Sequence, residues 1–97
     1  MYEIIWSKTA EIDYTENINF LLEEWSEKQV FKFINAVNKN LNLIKNNPKT
    51  FALTEYYNVR SALIIKQIRL FYRVYDNKTI ELIRFWNNYQ NPKKIKL

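Results

Sequence analysis

The chain has 97 residues, enough for one domain and too few for two independent cores. Hydrophobic residues make up 47% of it and aromatic residues 16%, which predicts a folded globule and excludes a disordered basic tail. The absence of cysteine and histidine excludes disulfides, thiolate or imidazole metal ligands and a histidine general base. No apolar run approaches the roughly 20 residues that span a bilayer, and the first residues lack the pattern of a signal peptide. We therefore expect a cytoplasmic protein with no metal and no small-molecule cofactor.

The positive charge is concentrated in the second half of the chain. Residues 1–48 carry five lysines and seven acidic residues, a net charge of −2. Residues 49–97 carry six lysines, four arginines and three acidic residues, a net charge of +7. A basic surface of this density is typical of proteins that bind nucleic acid or an acidic partner. The alternative is a basic surface that only keeps the protein soluble.

The first half of the chain predicts a strand followed by two helices. Residues 2–6 are rich in β-formers, and Ser7 can cap a helix whose apolar side chains recur at helical spacing through Trp25. A capping-box pattern that begins at Ser26 starts a second amphipathic helix, which ends before Pro48. Because the joint is so short, we expect an antiparallel helical hairpin with Trp25 in its core.

The second half of the chain changes to the two-residue period of strands. Residues 58–65, 68–75 and 79–86 predict three strands, joined by turns that rely on Asn, Asp and Pro because glycine is absent. The expected fold class is α+β in a single domain over residues 1–97, with the order β-α-α-β-β-β. We expect a sheet dominated by antiparallel pairs, with the helical hairpin packed on one face.

Alternation along the strands predicts which side chains face away from the hairpin. In the middle strand, Leu70, Tyr72 and Val74 share the face that covers the helices, while Arg69, Phe71, Arg73 and Tyr75 share an open outer face. In the last strand, the same parity groups Arg84 with Ile80, Leu82 and Trp86. We therefore interpret Arg84 as a structural residue in a partly buried ion pair.

Six short segments form an ordered pattern that covers nearly the whole chain. They are Trp6-Ser7 with Ala10 soon after, Asn47-Pro48, Val59-Arg60-Ser61, Ile68 to Asp76, Ile80 to Trp86, and Gln90-Asn91-Pro92. Their order and spacing resemble the RelE/ParE superfamily of bacterial type II toxins. The resemblance implies a growth-inhibiting toxin of a toxin-antitoxin or plasmid-stabilization system, neutralised by the acidic or amphipathic segment of a cognate antitoxin. ParE-like members poison DNA gyrase, and RelE-like members cut messenger RNA in the ribosomal A site.

The resemblance also implies candidate site residues. For RelE-like cleavage they are Arg60, Arg69 and Tyr89: the arginines would hold phosphate, and the tyrosine would stack on a base or aid proton transfer. For binding of nucleic acid or another target, the expected surface consists of Arg60, Lys66, Arg69, Phe71, Arg73 and Tyr75.

Three positions depart from the pattern of the cleaving relatives. Ala62 stands where the strongest nucleases carry a second basic residue, and Asn87 and Tyr89 stand where many relatives carry an acid and an arginine. No general base stands out, so ParE-like poisoning of gyrase is slightly favoured over RelE-like cleavage. The sequence also fits a nucleic-acid-binding module without toxicity and a module that has kept only its antitoxin partner. A metal-dependent nuclease is not expected, because the basic half has no acidic cluster at ligand spacing.

Overall fold

The computed structural model describes all 97 residues and contains two helices and four strands. In chain order the elements are β1 (Glu3–Trp6), α1 (Lys8–Glu24), α2 (Glu27–Asn46), β2 (Val59–Ile65), β3 (Ile68–Val74) and β4 (Thr79–Asn87). A single 3-10 turn, Pro92–Lys94, follows β4. The α+β class and the β-α-α-β-β-β order are confirmed, and the strand bounds differ from the prediction by one residue at most. Neither helix has the length and apolar character of a membrane span.

Serine side chains start both helices of the hairpin. Ser7 Oγ accepts a 3.0 Å hydrogen bond from the amide of Ala10, and Ser26 Oγ accepts a 3.3 Å bond from the amide of Gln29. Each bond satisfies an amide that a first helical turn leaves unpaired. The expected place of Trp25 in the hairpin core is wrong, since 42% of its surface is exposed. Trp25 lies in the joint after α1 has ended, so the apolar stripe of the helix no longer directs it toward the sheet.

The sheet has the strand order β1-β4-β3-β2, with β1 parallel to β4 and the other pairs antiparallel. The main core lies between this sheet and the hairpin. Its largest fully buried side chains include Phe33 from α2, Leu70 and Tyr72 from β3, and Leu82 and Phe85 from β4. Each large apolar side chain contributes about 1.5–3 kcal/mol on burial, so the core fixes which side of the sheet is left for function.

A β-bulge in β4 changes which of its residues face the helices. The ladder skips Ile83, so that two consecutive residues of β3 pair with Arg84 and Leu82. Beyond the bulge, Phe85 belongs to the main core and Trp86 to a cluster on the other side of the sheet. The expected grouping of Arg84 and Trp86 with Leu82 is wrong, because strict alternation assumes a ladder without an extra residue.

A second, smaller apolar cluster lies on the outer face, the side of the sheet opposite the hairpin. It consists of Val59, Phe71, Ile83 and Trp86, with Tyr56 and Ile95 packed against it. Phe71 points outward as predicted, but it is buried. The expectation of an open outer face is therefore wrong in this region, because the loop before β2 and the segment after β4 cover part of it.

Asn and Asp side chains support the turns of this glycine-free chain. Asn58 has the one positive φ, 54°, and its side chain donates a 3.2 Å hydrogen bond to the carbonyl of Val74. Between β3 and β4, Asp76 Oδ1 accepts 2.7 Å bonds from the amides of Lys78 and Thr79. These two bonds lower the pKa of the Asp76 carboxyl, the bond from Lys78 having the larger effect.

Candidate functional site

Arg84 forms the ion pair that the sequence suggested, and its partner is Asp13 of α1. Arg84 Nε and Nη2 donate 3.0 and 2.9 Å hydrogen bonds to the two carboxylate oxygens. The amide of Phe85 donates a further 3.1 Å bond to Asp13, and Asn17 donates a 2.9 Å bond to the carbonyl of Phe85. The hydrogen bond from Arg84 to Asp13 raises the pKa of the guanidinium. Beyond the end of β1, the side chains of Asp13 and Asn17 thus take the place of a neighbouring strand and bind the amide and the carbonyl of Phe85. Arg84 has a structural role, because it holds Asp13 in this position.

Arg69 lies in the wall of a cleft on the outer face. The cleft has a volume of about 440 Å³ and runs between the loop before β2 and the segment after β4. Arg69 Nη1 donates a 2.9 Å hydrogen bond to Ser61 Oγ on the neighbouring strand, which fixes the guanidinium across the β2–β3 pair. No salt bridge engages Arg69, although Glu55 also lines the cleft. Its remaining donors are therefore free to bind phosphate or carboxylate.

Arg60 lies on the opposite, helix-facing side of the sheet. The ladder pairs it with Tyr72, whose side chain belongs to the main core. Arg60 Nη1 donates a 2.7 Å hydrogen bond to the carbonyl of Phe51 and so stabilises the loop between α2 and β2. Burial raises the pKa of the Tyr72 hydroxyl, and the charge of Arg60 partly opposes that rise. Arg60 and Arg69 therefore lie on opposite faces of the sheet, because Arg60 is paired with the inward-facing Tyr72 whereas Arg69 lines the outer cleft.

Arg73 and Tyr75 continue the outer face toward the β3–β4 turn. Tyr75 is 57% exposed, and its hydroxyl donates a 2.9 Å hydrogen bond to Glu81. Arg73 is half-buried, and its Nε has no hydrogen-bond partner. The predicted outward row therefore exists, but the buried ring of Phe71 divides it into two polar regions, one at Arg69 and one at Arg73 and Tyr75.

Lys66 and Tyr89 lie apart from the cleft, beside the tip of the helical hairpin. Lys66 Nζ is 4.8 Å from the centre of the Trp25 ring. The ring of Tyr89 is 6.4 Å from Trp25 and 6.2 Å from Phe20. Neither Lys66 nor Tyr89 lines the cleft. The three residues of the expected catalytic set consequently occupy three separate places in the fold.

The sequence did not reveal the walls of the cleft. Besides Arg69, its polar and aromatic lining includes Glu55, Tyr56, Trp86, Asn88 and Gln90. The available signal was the Asn87-Asn88 pair at the end of β4, since paired asparagines favour a turn that folds the following segment back over the sheet. No group of three or more acidic side chains in the structure could hold a metal ion.

The family of the chain follows from its sequence taken as a whole. Residues 4–92 match the family profile described as ParE toxin of type II toxin-antitoxin system, parDE. The chain belongs to the ParE toxin family. The resemblance to the RelE/ParE superfamily is thereby confirmed for this ParE family member, and with it the assignment to type II toxin-antitoxin systems. A comparison with curated proteins gave no significant match.

Solved structures share the fold of this ParE family member. The chromosomal ParDE TA system from P. aeruginosa has a TM-score of 0.73 at 16% identity, over 90% of this chain and 96% of that chain. The YoeB dimer from Staphylococcus aureus has a TM-score of 0.62 at 21% identity, over 91% and 98%. The E. coli DinJ-YafQ toxin-antitoxin complex has a TM-score of 0.58 at 14% identity, over 89% and 91%. Similarity at these identities establishes the common fold.

Proposed function

We propose that this protein inhibits growth by ParE-like poisoning of DNA gyrase and does not cut nucleic acid itself. The observation that carries the proposal is the separation of Arg60, Arg69 and Tyr89. A catalytic set must present its groups to one substrate in near-contact geometry, with reacting atoms about 3–3.5 Å apart. Residues on opposite faces of a sheet, and a third at the hairpin tip, do not meet that requirement. The ParE family match supports the same choice of target.

We further propose a cognate antitoxin as the partner that neutralises the toxin. The outer face carries the free guanidinium donors of Arg69 and the half-buried Arg73, in the half of the chain with a net charge of +7. An acidic or amphipathic antitoxin segment would pair with these groups and exclude the target from the same face. The ParDE system from P. aeruginosa and the DinJ-YafQ complex, both described as toxin-antitoxin assemblies, support an antitoxin partner.

One observation favours RelE-like, ribosome-dependent cleavage of messenger RNA as a second candidate. Arg69, Glu55 and Tyr56 line the same cleft. A guanidinium could hold the scissile phosphate there while a carboxylate accepts the proton of the attacking 2′-hydroxyl. For this second candidate Glu55 and Tyr56, not Arg60 and Tyr89, would accompany Arg69.

Pulse-labelling of DNA, RNA and protein synthesis after induction in bacteria tests both candidates. For a gyrase poison, DNA synthesis falls first, and purified toxin inhibits supercoiling by gyrase. An early fall in protein synthesis that disappears in both Arg69→Ala and Glu55→Gln would overturn the gyrase proposal in favour of cleavage. Lys32→Ala is the matched control, since it removes a positive charge from an exposed position of α2, away from the cleft. Circular dichroism of each variant separates loss of a site from loss of the fold.

A further inference from the structure

The tip of the helical hairpin carries an open aromatic groove that shares no lining residue with the cleft at Arg69. This tip groove has a volume of about 290 Å³ and is lined by Phe20, Glu24, Trp25 and Tyr89. The Tyr89 ring centre lies 6.2 Å from that of Phe20 and 6.4 Å from that of Trp25, within the range of interacting aromatic pairs. Trp25 is 42% exposed and Tyr89 is 61% exposed. Clustered large aromatic side chains that remain exposed to water are typical of interaction surfaces.

Hydrogen bonds hold the tip groove in shape. The amide of Tyr89 donates a 2.8 Å bond to the side chain of Asn87, which turns the chain directly after β4. Asn88 then donates from its side chain to the carbonyl of Lys66, at 3.1 Å, and from its amide to the carbonyl of Gln67, at 2.7 Å. These bonds join the segment after β4 to the β2–β3 turn beside Trp25. The groove is therefore formed before any partner arrives, which lowers the entropic cost of binding.

Three electrostatic features of the tip groove favour a positively charged ligand. Glu23 and Glu24 lie in the last turn of α1, which contains no basic residue, and the structure's one salt bridge lies elsewhere. The C-terminal end of a helix carries partial negative charge, and the faces of aromatic rings are also negative. Lys66 Nζ already lies 4.8 Å from the Trp25 ring centre, so a cation of the protein itself occupies this ring. The two carboxylates, the helix end and the ring faces also repel phosphate groups.

We propose that the tip groove binds a basic segment of a protein partner, with an arginine or lysine side chain against Trp25 and Tyr89 and beside Glu24. The incoming cation takes the place of Lys66 on the Trp25 ring. Such a partner is distinct from the acidic antitoxin, which fits the basic outer face. It is also distinct from a nucleic acid, which the carboxylates of α1 disfavour. The proposal for the tip groove is the same whether the toxin acts on gyrase or on the ribosome.

Titration of the folded protein with a fluorescently labelled tetra-arginine peptide tests the proposal. The net charge of +5 opposes binding of any basic peptide, so measurable binding indicates a local site. Trp25→Ala and Glu24→Gln should each weaken binding about 2- to 5-fold, the effect expected for an exposed cation–π contact or ion pair. The matched controls are Tyr57→Ala, at a tyrosine that is 91% exposed, and Glu11→Gln, at an exposed acid of α1. Neither control should change the affinity.

Replacement of Lys66 gives a test in the opposite direction. Because Lys66 competes for the Trp25 ring, Lys66→Ala should strengthen peptide binding about 2- to 5-fold. Lys78→Ala, in the turn at the other end of β3, removes the same charge and should have a smaller effect.

Three results would overturn the proposal. The first is peptide affinity that is unchanged in Trp25→Ala and Glu24→Gln. The second is tighter binding of a single-stranded oligothymidylate to the same groove, which would assign the groove to nucleic acid. The third is self-association in sedimentation experiments that is lost in Trp25→Ala, which would assign it to a second copy of the chain.

Discussion

Removal of the Asp13 carboxylate should destabilise the protein more than any change of an exposed charge. Asp13→Ala leaves the guanidinium of Arg84 without its partner and the amide of Phe85 without its acceptor. Breaking a buried ion pair costs about 3–5 kcal/mol, and an unsatisfied buried amide costs about 1–3 kcal/mol. The Arg84 side chain is 21% exposed, so water recovers part of this free energy. We expect a loss of about 2–4 kcal/mol from a total of about 5–15 kcal/mol.

The loss can be measured as the change in urea midpoint at constant slope, followed by tryptophan fluorescence at neutral pH. Glu11→Ala is the matched control on the same helix, and it should change the free energy of unfolding by at most about 1 kcal/mol. A double-mutant cycle with Arg84→Met should give a coupling energy above about 1 kcal/mol. A loss below about 1 kcal/mol in Asp13→Ala, with no coupling, would refute the reasoning and class the pair with solvated surface ion pairs.

Three further changes test other parts of the structure. Tyr72→Phe removes the 2.7 Å hydrogen bond from the buried hydroxyl to the carbonyl of Pro48, and thermal unfolding should show a loss of about 0.5–1.5 kcal/mol, with no loss counting against that bond. Asn17→Ala leaves the carbonyl of Phe85 without its side-chain donor, and urea unfolding should show a loss of about 1–3 kcal/mol, whereas an unchanged midpoint would show that water replaces the amide. Asp76 has a lowered pKa in the folded state, so its carboxylate stabilises the fold above pH 3.8 and this contribution disappears as the pH falls. The difference in urea midpoint between wild type and Asp76→Asn should therefore shrink on acidification, and a difference that grows would contradict that sign.

The sequence predicted the elements well because their signals are local. Helical spacing of apolar residues and the capping serines Ser7 and Ser26 gave the hairpin, and two-residue alternation gave three strands to within one residue. The same alternation placed Arg69 on the outer face. The ion pair of Arg84 was also predictable as a type of interaction, because a charged residue in an apolar strand needs a partner.

The site was less predictable because it depends on features without a local signal. The extra residue at Ile83 changes the parity of β4, and its only trace in the sequence is the adjacent apolar pair Leu82-Ile83, which a strand buried on both faces would also show. The walls of the cleft come from segments outside the strands, whose path depends on side-chain hydrogen bonds such as those of Asn88. Trp25 has the spacing of a core residue and lies one position past the helix, where spacing alone does not determine burial. Arg60 and Arg69 lie on neighbouring strands, and only the register of the β2–β3 pair shows that they face opposite sides of the sheet.

The bulge at Ile83 means that β4 carries one residue more than its ladder with β3 uses. If Ile83 were deleted, Leu82 and Arg84 would become neighbours and would pair with Tyr72 and Phe71 as they already do. Phe85 would then stay in the main core and Trp86 on the outer face, and the smaller apolar cluster would lose one side chain. An extra residue inserted between Phe85 and Trp86 would, by contrast, turn Trp86 toward the helices. During divergence, therefore, the toxin can lose the residue at position 83 more easily than this strand can gain another.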